Sequence, residues 1–240
     1  MLKIGIDVEF RRPQPAPQRV ALRTLALAAV ACRGALERDG PQVQAYELHR
    51  QIHQWLIQVG VDGEFEDAER QLFLQPLGTL SDTQRMTAAL HGTATGVLGW
   101  GLKAVDLPEI DTEVDVLAVI DQLGWLNPQA AGLLNTLRLR ARTDMVALAE
   151  QLEVTQWWLE HSAAGSKPAS LAHFKSVSDS ANATGMRLGP DGTPWIDGAP
   201  LTQASKERAL QITLSVRTRR RALLWLLGQA ELYSTIDTDL

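Results

Sequence analysis

The stretch 217-RTRRRALLWLLG-228 puts four arginines directly ahead of an uninterrupted apolar run, and how it is read decides the fold. On one helical face the arginines would make a basic hook. Spread around the axis, they make the wet start of a helix whose second half is dry. At 3.6 residues per turn, Arg217, Arg219, Arg220 and Arg221 fan over more than one face, and only Arg217 and Arg221 stack at i, i+4. The stretch therefore reads as the closing helix of a helical core, capped by Ser205 and stopped by Gly228.

Working outward, the rest of the chain repeats that pattern. Three prolines in "RRPQPAPQ" break the chain after a possible N-terminal strand or extended arm over 1–16. Pro17 then sits in the first turn of an alanine- and leucine-rich helix reaching Arg38, with Arg19, Arg23 and Arg33 as limited wet positions. A second helix covers about 42–59, with Leu48, Ile52, Trp55, Leu56 and Val59 on one face and Gly60 as its stop. A short acidic helix is expected over 66–75. "SDTQ" at 81–84 is a capping box opening a helix to about 103. Four glycines there, Gly92, Gly96, Gly99 and Gly101, each cost roughly 1 kcal/mol against alanine. Either a neighbouring element approaches closely, or Gly99 and Gly101 already belong to the helix end. A helix near 111–123 follows the acidic link "VDLPEIDTEVD". Asn127 and Pro128 then open a helical pattern over 128–162, long enough that a bend or interruption is expected. Residues 163–185 read as a loop, and "MRLGPDGTPWIDGAPL" as a small β-hairpin at 186–197. The expected fold class is mainly α, a single multi-helix domain over 17–240 with that hairpin before the last long helix.

Composition narrows the function. The chain has 240 residues, 45% hydrophobic and 21% charged, with net charge -5 and a pI near 5.6. Nucleic-acid coats and membrane-surface proteins need a positive field, so nucleic acid and membrane are not expected partners. The single cysteine, Cys32, excludes an internal disulfide and a cysteine cage for zinc. No signal peptide is visible, and the longest apolar run, "TLALAAVAC" at 24–32, is too short to cross a bilayer. The expected location is the cytoplasm.

Candidate chemistry is sparse. His49 and His53 share a helical face at metal-ligand spacing, but Arg50 stands where a metallopeptidase would carry glutamate, and no third ligand is evident. Asp106, Glu109, Asp111, Glu113 and Asp115 lack the calcium-loop arrangement and suit a helix start. "GTATGVLGWG" lacks the lysine of a phosphate-binding loop, and no Gly-x-Ser-x-Gly elbow occurs. No metal or other cofactor is expected. An enzyme is not thereby excluded, because triads assemble in space. Two arginine sets remain: Arg138, Arg140 and Arg142 alternating along one helix, and the closing set. They either pair with the chain's carboxylates and lay their stems on apolar surface, or hold an anionic partner. Seven tryptophans are many for this length, and the adjacent Trp157 and Trp158 cannot both face one core position. One of them is a candidate binding anchor.

Several stretches taken together resemble a known family. "RVALRTLALAAVACRGALE" is similar to its arginine-alanine opening helix. "GTATGVLGWGLKAVDLP" resembles a helix ending in Leu-Trp-Ala-Leu-Gly before a Leu-Pro, with Gly101 where the family has alanine. "TLRLRARTDMVALAEQLEVTQWWLEH" resembles its arginine-rich helix leading to a tryptophan. "RTRRRALLWLLGQAELYSTIDTDL" resembles its closing helix and aspartate-containing tail, with "TRRRAL" where the family often has glutamate-arginine-histidine. The family is the bacterial domain of unknown function numbered 4272, over residues 17–240. The resemblance implies a mostly helical bacterial domain and carries no activity.

The leading expectation is a non-catalytic protein–protein interaction module, of which an immunity or accessory protein for a toxin is one form; a homo-oligomer is another possible assembly. The rival is an enzyme or binding protein that takes a phosphate-bearing small ligand through the arginine cluster. The candidate contact residues are Arg217, Arg220, Arg221, Trp157 and Trp158.

Overall fold

A computed structural model of the chain describes residues 12–37, 43–107, 109–163, 187–188 and 194–238. The N-terminal strand, the loop at 163–185 (beyond its first residue) and the Gly-Pro-Asp-Gly turn lie outside the described residues. Among the described residues the chain is mainly helical, with a small antiparallel sheet before the last long helix. The helices are α1 (Pro17–Leu36), α2 (Val43–Gln58), α3 (Asp67–Leu74), α4 (Asp82–Gly101), α5 (Val116–Asp121), α6 (Ala130–Leu134), α7 (Arg142–Ala163) and α8 (Lys206–Leu226). They fall into two compact units: residues 14–107 with 114–140, and residues 12–13, 109–113 and 141–238.

In the first unit α1 is the central helix. Val20, Ala21 and every residue from Leu25 to Val30 are fully buried, because this run is apolar on all sides and neighbours cover it in turn. Its main partner is α4, and α2, α3, α5 and α6 also touch it. The α4 start is the capping box read from "SDTQ": Ser81 Oγ accepts from the Gln84 amide at 3.3 Å, and Gln84 Oε1 accepts from the Ser81 amide at 2.9 Å. The helix keeps its glycines to Gly101, and close approach explains Gly99: a β-carbon there would lie 2.6 Å from Val119 Cγ1 of α5.

Four expectations are corrected in this unit. Arg23 and Arg33 are not wet; they are 2% and 0% exposed. Arg23 donates to both oxygens of Glu69 (2.7 and 2.6 Å) and to the Glu64 carbonyl (2.6 Å). Arg33 pairs with Glu37 and donates to the carbonyls of Gln75 and Pro76. Each buried cation is held by acceptors for its terminal guanidinium nitrogens. Leu48 shares the apolar face of α2 by spacing but stays 38% exposed, and Val59 falls beyond the helix end at Gln58; the residues buried on that face are Ala45, Ile52, Trp55 and Leu56. The helix expected at 111–123 is confined to Val116–Asp121, where Asp115 caps it by accepting from the Ala118 amide at 3.0 Å. The long pattern over 128–162 is interrupted as expected, but the break spans 135–141, so Arg138 and Arg140 are not on a helix. The cause is the open end of α4: the Arg140 amide donates to the Gly101 carbonyl at 2.8 Å and its Nε to the Trp100 carbonyl at 2.7 Å. The guanidinium lies over the Trp100 ring, 4.8 Å from its centroid. Satisfying the last carbonyls of one helix thus draws the chain out of another.

The second unit is built on α7 against α8. Ser205 caps α8 through its hydroxyl, which accepts from the Arg208 amide at 3.1 Å. Gly228 ends the element at φ +83°. The sheet has three strands, β1 (Arg187–Leu188), β2 (Pro194–Ile196) and β3 (Ala199–Pro200), in that order. The second turn was not read from the sequence: Asp197 (φ 52°) and Gly198 (φ 81°) are both left-handed, as a two-residue hairpin turn requires. Arg208 holds this turn through both Asp197 oxygens at 2.7 Å and reaches the Asp111 carbonyl at 2.9 Å. Asp111 therefore anchors the hairpin rather than starting α5.

Candidate functional site

The five candidate residues all come from α7 and α8. On α7, Glu153, Gln156, Trp157 and Glu160 follow i, i+3, i+4, i+7 and share a face. On α8, Arg217, Arg220 and Arg221 follow i, i+3, i+4. The helices bring these faces together antiparallel, so Glu160 meets Arg217 and Glu153 meets Arg220.

Arg217 donates to Glu160 Oε1 through Nε at 3.1 Å and Nη2 at 2.8 Å. Gln156 continues the line: its Nε2 donates to the same Glu160 oxygen at 3.1 Å and to the Thr238 carbonyl at 2.7 Å. Arg220 Nη1 reaches Gln156 Oε1 at 3.5 Å and the Thr238 carbonyl at 3.4 Å. Its Nη2 stands 3.2 Å from Glu153 Oε2, an ion pair whose geometry does not make a hydrogen bond. The result is a continuous polar chain, Glu153–Arg220–Gln156–Glu160–Arg217, that also fastens the C-terminal segment. Gln156 is fully buried and Arg220 nearly so. An anion arriving here would have to displace a carboxylate from each of two arginines.

Arg221 is different. It is half-buried, and its Nε is shielded from water with no hydrogen-bond partner among the described residues. Arg219 points elsewhere: it is 1% exposed and donates to the Glu109 carbonyl at 2.6 Å. Burial pulls its pKa down to about 10, against the pull of nearby Asp111. Trp158 is a core residue at 3% exposure, whereas Trp157 is half-buried on α7. The two tryptophans thus divide between core and partial surface, as adjacency requires.

Elsewhere, among the described residues, His49 and His53 do not meet a third ligand. Each ring packs on Phe73, and His49 Nε2 lies 2.9 Å from the Phe73 carbonyl. Burial lowers the pKa of His49, with Arg33 and His53 adding to the effect. Among the described residues no group of three or more His, Cys, Asp or Glu side chains is placed to hold a metal ion. Burial pushes the Cys32 thiol up to about 11, which keeps it protonated. No described helix is long and apolar enough to cross a membrane.

What the sequence reading missed was the acidic half of the cluster. Its signal was present: Glu153, Gln156 and Glu160 repeat at helical spacing, opposite in charge to Arg217 and Arg220. Fold and site together define a class, a mainly helical chain in which two clustered arginines, Arg217 and Arg220, are paired with carboxylates of the same chain. Compared with family models, curated proteins and solved structures, the chain finds no match.

Proposed function

We propose that this chain is a non-catalytic protein-binding module of the cytoplasm, related to the family it resembles. One observation carries the reading: Arg217 and Arg220, the cations best placed to seize an anion, are already matched to Glu160 and Glu153 of their own chain. Their charge holds two helices together, and among the described residues the polar side chains beside them, Glu153, Gln156 and Glu160, are taken up in the same pairing. Recognition then falls to exposed apolar and aromatic side chains. An immunity or accessory role beside a toxin is one form of this reading. The test combines two measurements on the full chain: calorimetric titration with inorganic phosphate and pyrophosphate, and affinity measured against each purified protein that co-purifies with it. No heat with the anions and saturable binding of a protein supports the module. Turnover of a phosphate ester, or anion binding lost in Arg217→Gln and Arg220→Gln, overturns it.

A second reading has one observation in its favour, the Nε of Arg221, which has no hydrogen-bond partner among the described residues. In it, that guanidinium holds a small phosphate-bearing ligand. Phosphate would then raise the thermal midpoint of the native chain and leave that of Arg221→Gln unmoved.

A further inference from the structure

Two histidines of α2 stand one turn apart against a single ring of α3. Phe73 is buried, and its ring centre lies 4.8 Å from that of His49 and 5.8 Å from that of His53. His49 Nε2 is 2.9 Å from the Phe73 carbonyl oxygen, in the last turn of α3. A carbonyl only accepts, so Nε2 carries the hydrogen of the neutral ring and Nδ1 is left to take up a proton. Two carbonyls just beyond, those of Gln75 and Pro76, accept from Arg33 of α1. The end of α3 is thus closed by an imidazole from α2 and a guanidinium from α1. On its core side α2 buries Ala45, Ile52, Trp55 and Leu56, and Trp55 Nε1 donates to the Asn127 carbonyl at 3.0 Å.

We propose that His49 makes α2 a pH-sensitive latch: a proton added at its Nδ1 puts an unmatched cation between α1, α2 and α3, and α2 is released. The charges around the ring carry the argument. Arg33 is fully buried and keeps its proton at any ordinary pH. Its partner Glu37 already answers it and feels Arg85 of α4 as well. The acids before and within α3 are engaged: Asp62 by Arg70, Glu64 by Arg19, and Glu66 and Glu69 by Arg23. Asp67 is exposed at the opposite end of α3 from Phe73. On α2 itself Glu47 accepts from Arg50 and Gln51, and His53 adds a like charge when it is protonated. A cation at His49 therefore joins Arg33 with no carboxylate left to meet it. Burial lowers the His49 pKa most; the bond to Phe73 opposes this, and Arg33 and His53 add to the lowering. Once α2 has opened, the ring titrates at the ordinary histidine value of about 6.5, so the open form binds more protons. The latch is fully closed above that pH and loosens as pH falls through it toward the lower value of the closed form. One proton changes the opening constant by at most about tenfold per pH unit. A 16-residue helix stripped of its packing is marginal in water, so α2 opens as a unit and uncovers Ile52, Trp55 and Leu56 together.

The latch is independent of what the chain binds. Its test is hydrogen exchange of the full chain between about pH 8 and about pH 5, read as protection of the 43–58 amides after correction for intrinsic exchange. In the native chain that protection should fall several-fold on acidification, while the amides of α4 keep theirs. His49→Gln retains a donor for the Phe73 carbonyl but takes up no proton, so its α2 protection should be much flatter over the same range. His53→Gln should keep the fall and make it shallower. Native α2 protection that does not change with pH, or a fall of equal size in His49→Gln, overturns the proposal. If His49→Gln loosens the fold at every pH, the native ring decides. Its own titration, followed by NMR, must lie below the ordinary histidine value, and a midpoint at or above that value overturns the proposal as well.

Discussion

The contact between α1 and α4 makes a sharp demand on one residue. Gly34 of α1 faces Ala88 of α4, and a β-carbon added at Gly34 would fall 2.6 Å from the Ala88 Cβ. Two carbons prefer about 3.5–4.0 Å, so two helices of 20 residues each would have to part by about 1 Å. Overpacking of this kind costs about 1–3 kcal/mol. Replacing glycine by alanine inside a helix returns about 1 kcal/mol. Gly34→Ala should therefore destabilise by about 1 kcal/mol, a fall of roughly 2–4 °C in Tm for a domain of this size. The sign is informative because propensity alone gives the opposite one. Ala88→Gly vacates the space, so the double variant should be more stable than the two single effects summed, by about 1–3 kcal/mol of coupling in urea denaturation. A Gly34→Ala chain more stable than the native one, with no coupling to Ala88, would refute the close approach and with it the packing of the first unit.

Gly132 gives the reverse case: nothing lies within 4 Å of its notional β-carbon in α6, so Gly132→Ala should raise stability by about 0.5–1 kcal/mol in the same assay. Gly228→Ala should cost about 2 kcal/mol or more, because φ is +83° and the carbonyl oxygens of Arg12 and Pro13 lie 2.6 and 2.7 Å from the added carbon. The buried Glu69 should give an unusual pH dependence. Burial raises its pKa, outweighing the opposing pull of Arg23, so the folded state takes up a proton before the unfolded state does. Its contribution to stability should grow as pH falls through that raised pKa and level off below the ordinary carboxylate value. The stability of the native chain minus that of Glu69→Gln should accordingly rise on acidification; a difference that falls on acidification would contradict the burial.

The legible parts of this fold are those written in local chemistry. Ser81 with Gln84, Ser205, Gly60 and Gly228 mark helix ends because each satisfies or terminates a backbone pattern within a few residues. The turn at Asp197–Gly198 carried the same kind of signal. Arg23 was read as wet because its partner, Glu69, stands 46 residues away, and no local spacing announces a pair made by tertiary packing. Arg33 was closer to hand, with Glu37 four residues on, yet that pair reads equally well as a surface bridge. The break at 135–141 was expected in kind but not in place, since the open carbonyls of α4 set it. In the candidate site the cationic half was visible as a run, whereas the acidic half was diluted along α7 and needed the antiparallel pairing to show its purpose.

The polar chain between α7 and α8 is most directly probed by a double-mutant cycle on Arg220 and Glu153, using Arg220→Gln and Glu153→Gln. The side chains are 10% and 20% exposed, so breaking the pair should cost somewhat less than the about 3–5 kcal/mol of a fully buried one, near 2 kcal/mol for each single variant. If the cluster serves the chain's own structure, both singles destabilise, and the double costs at least about 1 kcal/mol less than their sum. If Arg220→Gln instead stabilises the chain, the cation is being held at a cost to the fold, the mark of a group kept for a ligand, and the internally paired cluster is contradicted.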